Sequence, residues 1–263
     1  IVEGRASDSR KFAAYIELGD IHLKNDRPQE ASNYYLSAYY YARSRRDKIT
    51  SLIRLSDINY MLGSLGKAIE FVKEACALSG RDILLRKKLA GYYCEAELWK
   101  QASDEYKKIL RSPSLMPDDE VDILFRLGDI YERLGVYGEA IDCYKKILIM
   151  NVGFTAENTA KRRLAGCYEK TSDFKLAETL LKESLALTTG DSDGYLALGR
   201  LYYSSGRYDS AAEAFSSSLK YLASTATYND SNAAKRYEAL IMTGISYIKS
   251  GRYEESIEIF RIA

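Results

Sequence analysis

Amphipathic helical stretches recur along this chain in pairs, each pair split by a breaker residue. The clearest pair occupies 121–134 and 137–148, with Gly135 between them. Gly63, Gly206 and Gly251 take the breaker place in three other pairs, where a helix end favours positive φ. Inside the pairs one set of slots repeats: L-[G/A/S]-x-x-Y, an Ala nine residues after the Tyr, and an aromatic four residues later. Leu127, Gly128, Tyr131, Ala140 and Tyr144 form the cleanest copy. Leu198, Gly199, Tyr202, Ala211 and Phe215 form another, and Leu89, Ala90, Tyr93, Ala102 and Tyr106 a third. Leu164, Ala165, Tyr168 and Ala177 match with Leu181 in the aromatic slot. Leu18, Gly19, Ala31, Tyr35 and Ala38 match with His22 in the Tyr slot. Leu55, Ser56, Ala68 and Ala75 carry Asn59 and Val72 in the aromatic slots; Gly244, Tyr247, Phe260 and Ala263 carry Thr243 and Ser256 as substitutes.

The leading positions 18, 55, 89, 127, 164, 198 and 243 lie 37, 34, 38, 37, 34 and 45 residues apart. Small residues at the Gly and Ala slots let two helices approach closely, because interiors are densely packed. The Tyr and Phe slots are expected to fill the space between one hairpin and the next. A single hairpin cannot bury its apolar face alone, so such hairpins must stack.

A period near 34 with these slots resembles the tetratricopeptide repeat family over nearly the whole chain. The resemblance implies an all-α fold, an α-α superhelix or solenoid of about seven antiparallel helix hairpins, the last incomplete. Repeats are expected to start near 12, 49, 83, 121, 158, 192 and 237, making 12–263 one array and 1–11 a lead-in or an expression remnant. The natural protein is expected to continue beyond Ala263, or else the last hairpin frays. Two interruptions are visible. Residues 112–119 hold two prolines, with Asp118 or Asp119 expected to cap the next helix. Residues 222–232 are polar and read as a loop or a long hairpin turn.

Composition narrows the function classes. Lys plus Arg is 38 against 37 Asp plus Glu, so whole-chain charge makes no case for nucleic acid. No apolar run approaches the ~20 residues of a membrane span. Cys76, Cys94, Cys143 and Cys167 lack metal-ligand or disulfide spacing and read as buried thiols, which favours a reducing compartment. His22 stands in a packing slot, so no catalytic triad is indicated. The run 190–194 matches G-x-S-x-G by letter, but a helix precedes it; Asp191 or Ser192 is expected to be a helix cap. Asn229-Asp230-Ser231 is a glycosylation sequon that matters only in a secreted protein. No enzyme activity and no cofactor or metal is expected.

In the family resemblance the first helix of each hairpin lines a concave groove. That register offers Arg54, Lys87, Lys88, Arg126, Arg162, Arg163 and Arg200, interleaved with Asp20, Asp57, Asp122, Asp129, Glu132 and Glu169. The doublets Lys87-Lys88 and Arg162-Arg163 share repeat positions. Either the groove engages an acidic or phosphorylated segment, or the cations form ion pairs within it. The carboxylate clamp of chaperone-binding members is not matched, since Ile16, Asp20, Ile53 and Asp57 stand at its positions. A second surface is suggested by Tyr34, Tyr39, Tyr40 and Tyr41, which with Tyr35 cannot all face one side of a helix. The expected function is a protein–protein interaction scaffold or adaptor, holding a peptide or helical segment of a partner within a larger assembly. The alternatives are a regulatory or substrate-docking region of a larger enzyme and, less favoured, a helical-repeat RNA binder. Self-association through the uncapped C-terminal repeat is a further expectation.

Overall fold

The computed structural model describes the backbone of residues 2–80, 82–150, 152–188, 190–224 and 230–262, and their side chains except at 2–6, 187, 224 and 230. Residues 225–229, with Asn229 of the sequon, therefore lie outside the described residues, as does Ala263, while the described flanks of the 222–232 interruption are helical. Among the described residues the chain forms helices and no strand. They are α1 (Val2–Lys24), α2 (Pro28–Tyr41), α3 (Arg45–Met61), α4 (Leu65–Ser79), α5 (Ile83–Glu95), α6 (Trp99–Leu110) and α7 (Pro117–Arg133). There follow α8 (Tyr137–Ile149), α9 (Phe154–Lys170), α10 (Phe174–Leu187), α11 (Ser192–Ser204), α12 (Tyr208–Ser224), α13 (Asp230–Lys249) and α14 (Tyr253–Ile262). The chain divides into two compact units, Ile1–Ile123 and Leu124–Ala263.

Odd-numbered helices carry the Leu, Gly and first Tyr slots, and even-numbered helices carry the Ala and second aromatic slots. Within the first unit α1 packs on α2, α2 on α3, α3 on α4, α4 on α5 and α5 on α6. Within the second, α8 packs on α9, and the same succession continues from α9 to α14. Several odd helices begin a turn earlier than the apolar pattern suggests, at Arg45, Pro117 and Phe154. Their first turns are largely exposed, polar in α3 and α7 and opened by the half-exposed Phe154 in α9, so the buried period starts one turn late. The Ser44 side chain accepts from the Asp47 N–H at 3.0 Å and starts α3 there. Pro117 opens α7, so Asp118 and Asp119 sit inside the first turn, where carboxylates complement the helix dipole, and neither is the cap. Helix α1 likewise runs back through the expected lead-in to Val2.

One turn recurs in all seven described hairpins. Asp26, Gly63, Glu97, Gly135, Ser172, Gly206 and Gly251 are left-handed, with φ between 56° and 80°. The N–H that follows reaches back to the carbonyl of the first Tyr slot, as in Ser64 to Asn59 and Arg252 to Tyr247, both 2.8 Å. This is the bond that closes a Schellman helix end. The donor's own carbonyl then accepts the first bond of the next helix, as from Ala68 N–H to Ser64 at 3.1 Å. Helix end and helix start thus share one residue, which makes each turn short.

The slots are the core. Ala31, Ala68, Ala102, Ala140, Ala177 and Ala211 are fully buried, and Leu55, Leu89, Leu127, Leu164 and Leu198 nearly so. Leu18 and Phe260, in the first and last hairpins, are exposed. The second aromatic lies on the glycine of its own hairpin, and Tyr35 also packs in one cluster with Leu55 and Ile58 of the next. A Cβ on Gly199 would meet Phe215 at 2.6 Å, and one on Gly244 would meet Phe260 at 2.5 Å. Gly19 and Gly128 would overlap the Tyr35 and Tyr144 rings in the same way. Where the small slot is Ser56 or Ala165, the facing residue is Val72 or Leu181 rather than a ring. Neighbouring hairpins are also clamped by polar groups. Glu178 on α10 takes Lys182 at 2.7 Å, Arg207 at 2.8 Å and the Tyr202 hydroxyl at 3.0 Å. The Lys182 ammonium foremost, with Arg207 and Tyr202, holds that carboxyl down at about 2.

Candidate binding face

The candidate cations all come from odd-numbered helices, and each one whose contacts are resolved sits on a carboxylate. In the first unit Arg54 Nη2 lies 3.3 Å from Asp20 Oδ2, and Lys88 pairs with Asp57. Lys87 Nζ lies 2.6 Å from Asp119 and 3.7 Å from Asp122. In the second unit Arg163 reaches Asp129 at 3.4 Å and Glu132 at 3.9 Å. Arg162 reaches Asp191 at 3.2 Å, and Arg200 Nε donates to Glu238 at 2.7 Å. Arg126 also makes an intramolecular interaction.

A register underlies these pairs. The residue before the Leu slot (Arg54, Lys88, Arg163) pairs with the residue two after the Leu slot of the preceding hairpin (Asp20, Asp57, Asp129). Each such exposed pair adds only ~0–1 kcal/mol. The carboxylates are also held from the core side. The Tyr35 hydroxyl donates to Asp20 at 2.6 Å, and the Tyr144 hydroxyl to Glu132 at 2.6 Å and Asp129 at 3.1 Å. Burial, followed by these hydrogen bonds, pushes both phenols well above their ordinary value. The face is therefore charged but internally compensated. The sequence left open whether these cations bind an acidic segment or pair within the groove; in the structure the acids that interrupt the basic residues in sequence contact them in space.

The ladder lacks a rung between α9 and α11. Its two positions there are Gly166 and Ala197, and a cleft of about 200 Å3 opens between them. Leu181 and Leu201 line it, as do Arg162, Arg163 and Arg200. The sequence signal for this cleft is the double loss of side chains at two ladder positions, legible only once the register is known.

The tyrosine cluster on α2 is mostly engaged internally. Tyr35 is fully buried. Tyr34 and Tyr41 stack on Tyr15 of α1, at 6.4 and 5.6 Å between centroids, and His22 lies 4.8 Å from Tyr34. The Tyr39 hydroxyl donates to Glu74 at 2.5 Å. Tyr40 alone of the cluster is largely exposed, at 74%.

The four cysteines are in no disulfide, and burial pushes Cys76 up to about 11 and Cys167 up to about 12. Such thiols stay protonated at neutral pH. Asp191 accepts the Gly194 N–H at 2.9 Å and caps α11. Among the described residues no group of His, Cys, Asp and Glu is placed to hold a metal, and no helix is long and apolar enough to cross a membrane.

Comparison with known proteins points in one direction. Two family profiles described as "Tetratricopeptide repeat" match, one over 196–263 and the other over 12–45 and 121–149. The chain is 23% identical to the DnaJ homolog subfamily C member 3 of Gallus gallus across 97% of its length, and that span is 50% of the relative. The chain thus covers half of this curated relative. Among solved structures, a tetratricopeptide repeat protein from Parabacteroides merdae aligns with a TM-score of 0.62 at 16% identity, covering 96% of this chain and 91% of the other. MamA aligns with a TM-score of 0.53 at 23% identity, over 69% and 90% of the two chains. YrrB, a tetratricopeptide repeat protein with an unusual peptide-binding site, aligns with a TM-score of 0.53 at 16% identity, over 78% and 97%.

Proposed function

This chain belongs to the tetratricopeptide repeat family, and from that premise we propose that it is a non-catalytic scaffold whose odd-numbered helices hold an extended or helical segment of a protein partner. Proteins of this fold bind protein or peptide partners, and YrrB shows that the fold can carry a peptide site. The observation that carries the reading is the repeat register that these charged residues share within each unit. Arg54, Lys87 and Lys88 in one unit, and Arg126, Arg162, Arg163 and Arg200 in the other, come from helices of one register. Their pairing with acids favours a segment of mixed charge over a uniformly acidic one. Affinity then comes from shape and buried contacts, with charge setting approach rate and partner choice. A second reading, the docking region of a longer protein, is supported by the relative of which the chain spans 50%.

The test is a paired affinity capture from native lysate, at low and high salt. One bait is the chain, and the other carries Lys87→Gln, Lys88→Gln, Arg162→Gln and Arg163→Gln. Glutamine is preferred to glutamate because Asp57, Asp119 and Asp191 would otherwise face like charges. A partner kept by the first bait and lost by the second, at equal melting temperature, supports the face. Identical captures contradict it.

A further inference from the structure

Gly166 has no structural reason to be glycine. It lies inside α9, where glycine weakens a helix relative to alanine. A Cβ there would meet nothing within 4 Å. The glycines in the small slot of the repeat, Gly19, Gly128, Gly199 and Gly244, each lie under a ring. Gly166 instead keeps open the cleft between α9 and α11, together with Ala197.

From this, and resting on the reading of the odd-helix face as the binding face, we infer that the cleft is a subsite for one arginine or lysine side chain of the bound segment. Its volume of about 200 Å3 accepts a long side chain. Ala165, Gly166, Ala197 and Leu201 offer apolar walls to a methylene stem. The charged end would meet Glu132 and Glu169, which hold the same position on α7 and α9, five residues after Leu127 and Leu164. Among the described residues Glu169 makes no ion pair, and the one cation at Glu132 is Arg163 at 3.9 Å. The three arginines of the lining pair with other carboxylates, at 3.2 Å for Asp191, 3.4 Å for Asp129 and 2.7 Å for Glu238. The unspent charge of the cleft is therefore negative. An acidic side chain would meet two carboxylates, and an apolar one would desolvate them without a partner.

A displayed library of random peptides, panned against the full chain, tests this. Recovered sequences should share one fixed Arg or Lys. A synthetic peptide carrying that consensus should bind at least tenfold more weakly to Gly166→Leu and to the double variant Glu132→Gln, Glu169→Gln. Gly166→Leu has room for its Cβ. In the double variant the amide oxygen introduced by Glu132→Gln still accepts the Tyr144 hydroxyl. Both variants should therefore melt no lower than the parent. A consensus fixed on an acidic or apolar residue, yet weakened by Gly166→Leu, overturns the inference and leaves the binding face standing. Peptides indifferent to Gly166→Leu but weakened by the four-glutamine variant also overturn the inference alone. Peptides indifferent to all of these variants, or no enrichment at all, overturn the face as well.

Discussion

At the scale of single residues, three kinds of glycine do three different jobs, and substitution separates them. Gly128 gives Tyr144 its place, so Gly128→Ala should destabilise the fold by about 1–3 kcal/mol through overpacking. Gly166 lies against open space, and Gly166→Ala should stabilise by about 0.5–1 kcal/mol through helix propensity alone. Urea unfolding of both variants checks the pair, and equal effects would refute the packing account. The turn glycines supply positive φ, a conformation that Glu97 and Ser172 adopt at φ 57° and 66°. A left-handed L-residue costs roughly 1–2 kcal/mol, while glycine's extra unfolded-state freedom costs about 0.5–1. Glu97→Gly should therefore stabilise by about 0.5–1 kcal/mol, read as a rise in melting temperature.

At the scale of elements, neighbouring hairpins are joined by apolar slots and by charged clamps, and the clamps give the fold a pH signature. The Glu178 carboxyl is held at about 2 in the folded state, below the ~4.3 of a free glutamate. Its contribution is thus fully present above pH ~4.3 and is lost as pH falls from there through about 2. Glu178→Gln should be less stable than the parent at pH 7, with the gap narrowing between about pH 5 and 3. A gap that stays constant across this range would show that the clamp does not hold the charge. The helices were legible in the sequence because the slots are steric requirements. Helix starts at Arg45, Pro117 and Phe154 were misplaced because caps and largely exposed first turns carry no apolar period. The non-glycine turns at Asp26, Glu97 and Ser172 had no letter to mark them; their φ appears only in the structure.

At the scale of the whole molecule, stability should be built hairpin by hairpin, since stacked repeats touch only their neighbours. The boundary between the two compact units falls at 123/124, inside α7 and just after the interruption that the sequence marks at 112–119. The candidate face was half legible. Its residues follow from the register, but the sequence left open whether Arg54 or Lys88 were free or paired. That depended on the hydroxyls of Tyr35 and Tyr144 and on carboxylates one repeat away. The central claim is that partners engage the odd-numbered helices. Its most direct test is residue-resolved amine and carboxyl footprinting of the chain with and without a peptide recovered from the display selection. Protection should fall on groups such as Lys87, Asp129 and Glu169, on α5, α7 and α9, and spare Lys73, Lys146 and Glu183 on α4, α8 and α10. Protection concentrated on the second set would contradict the account and place the binding surface on the even-numbered helices.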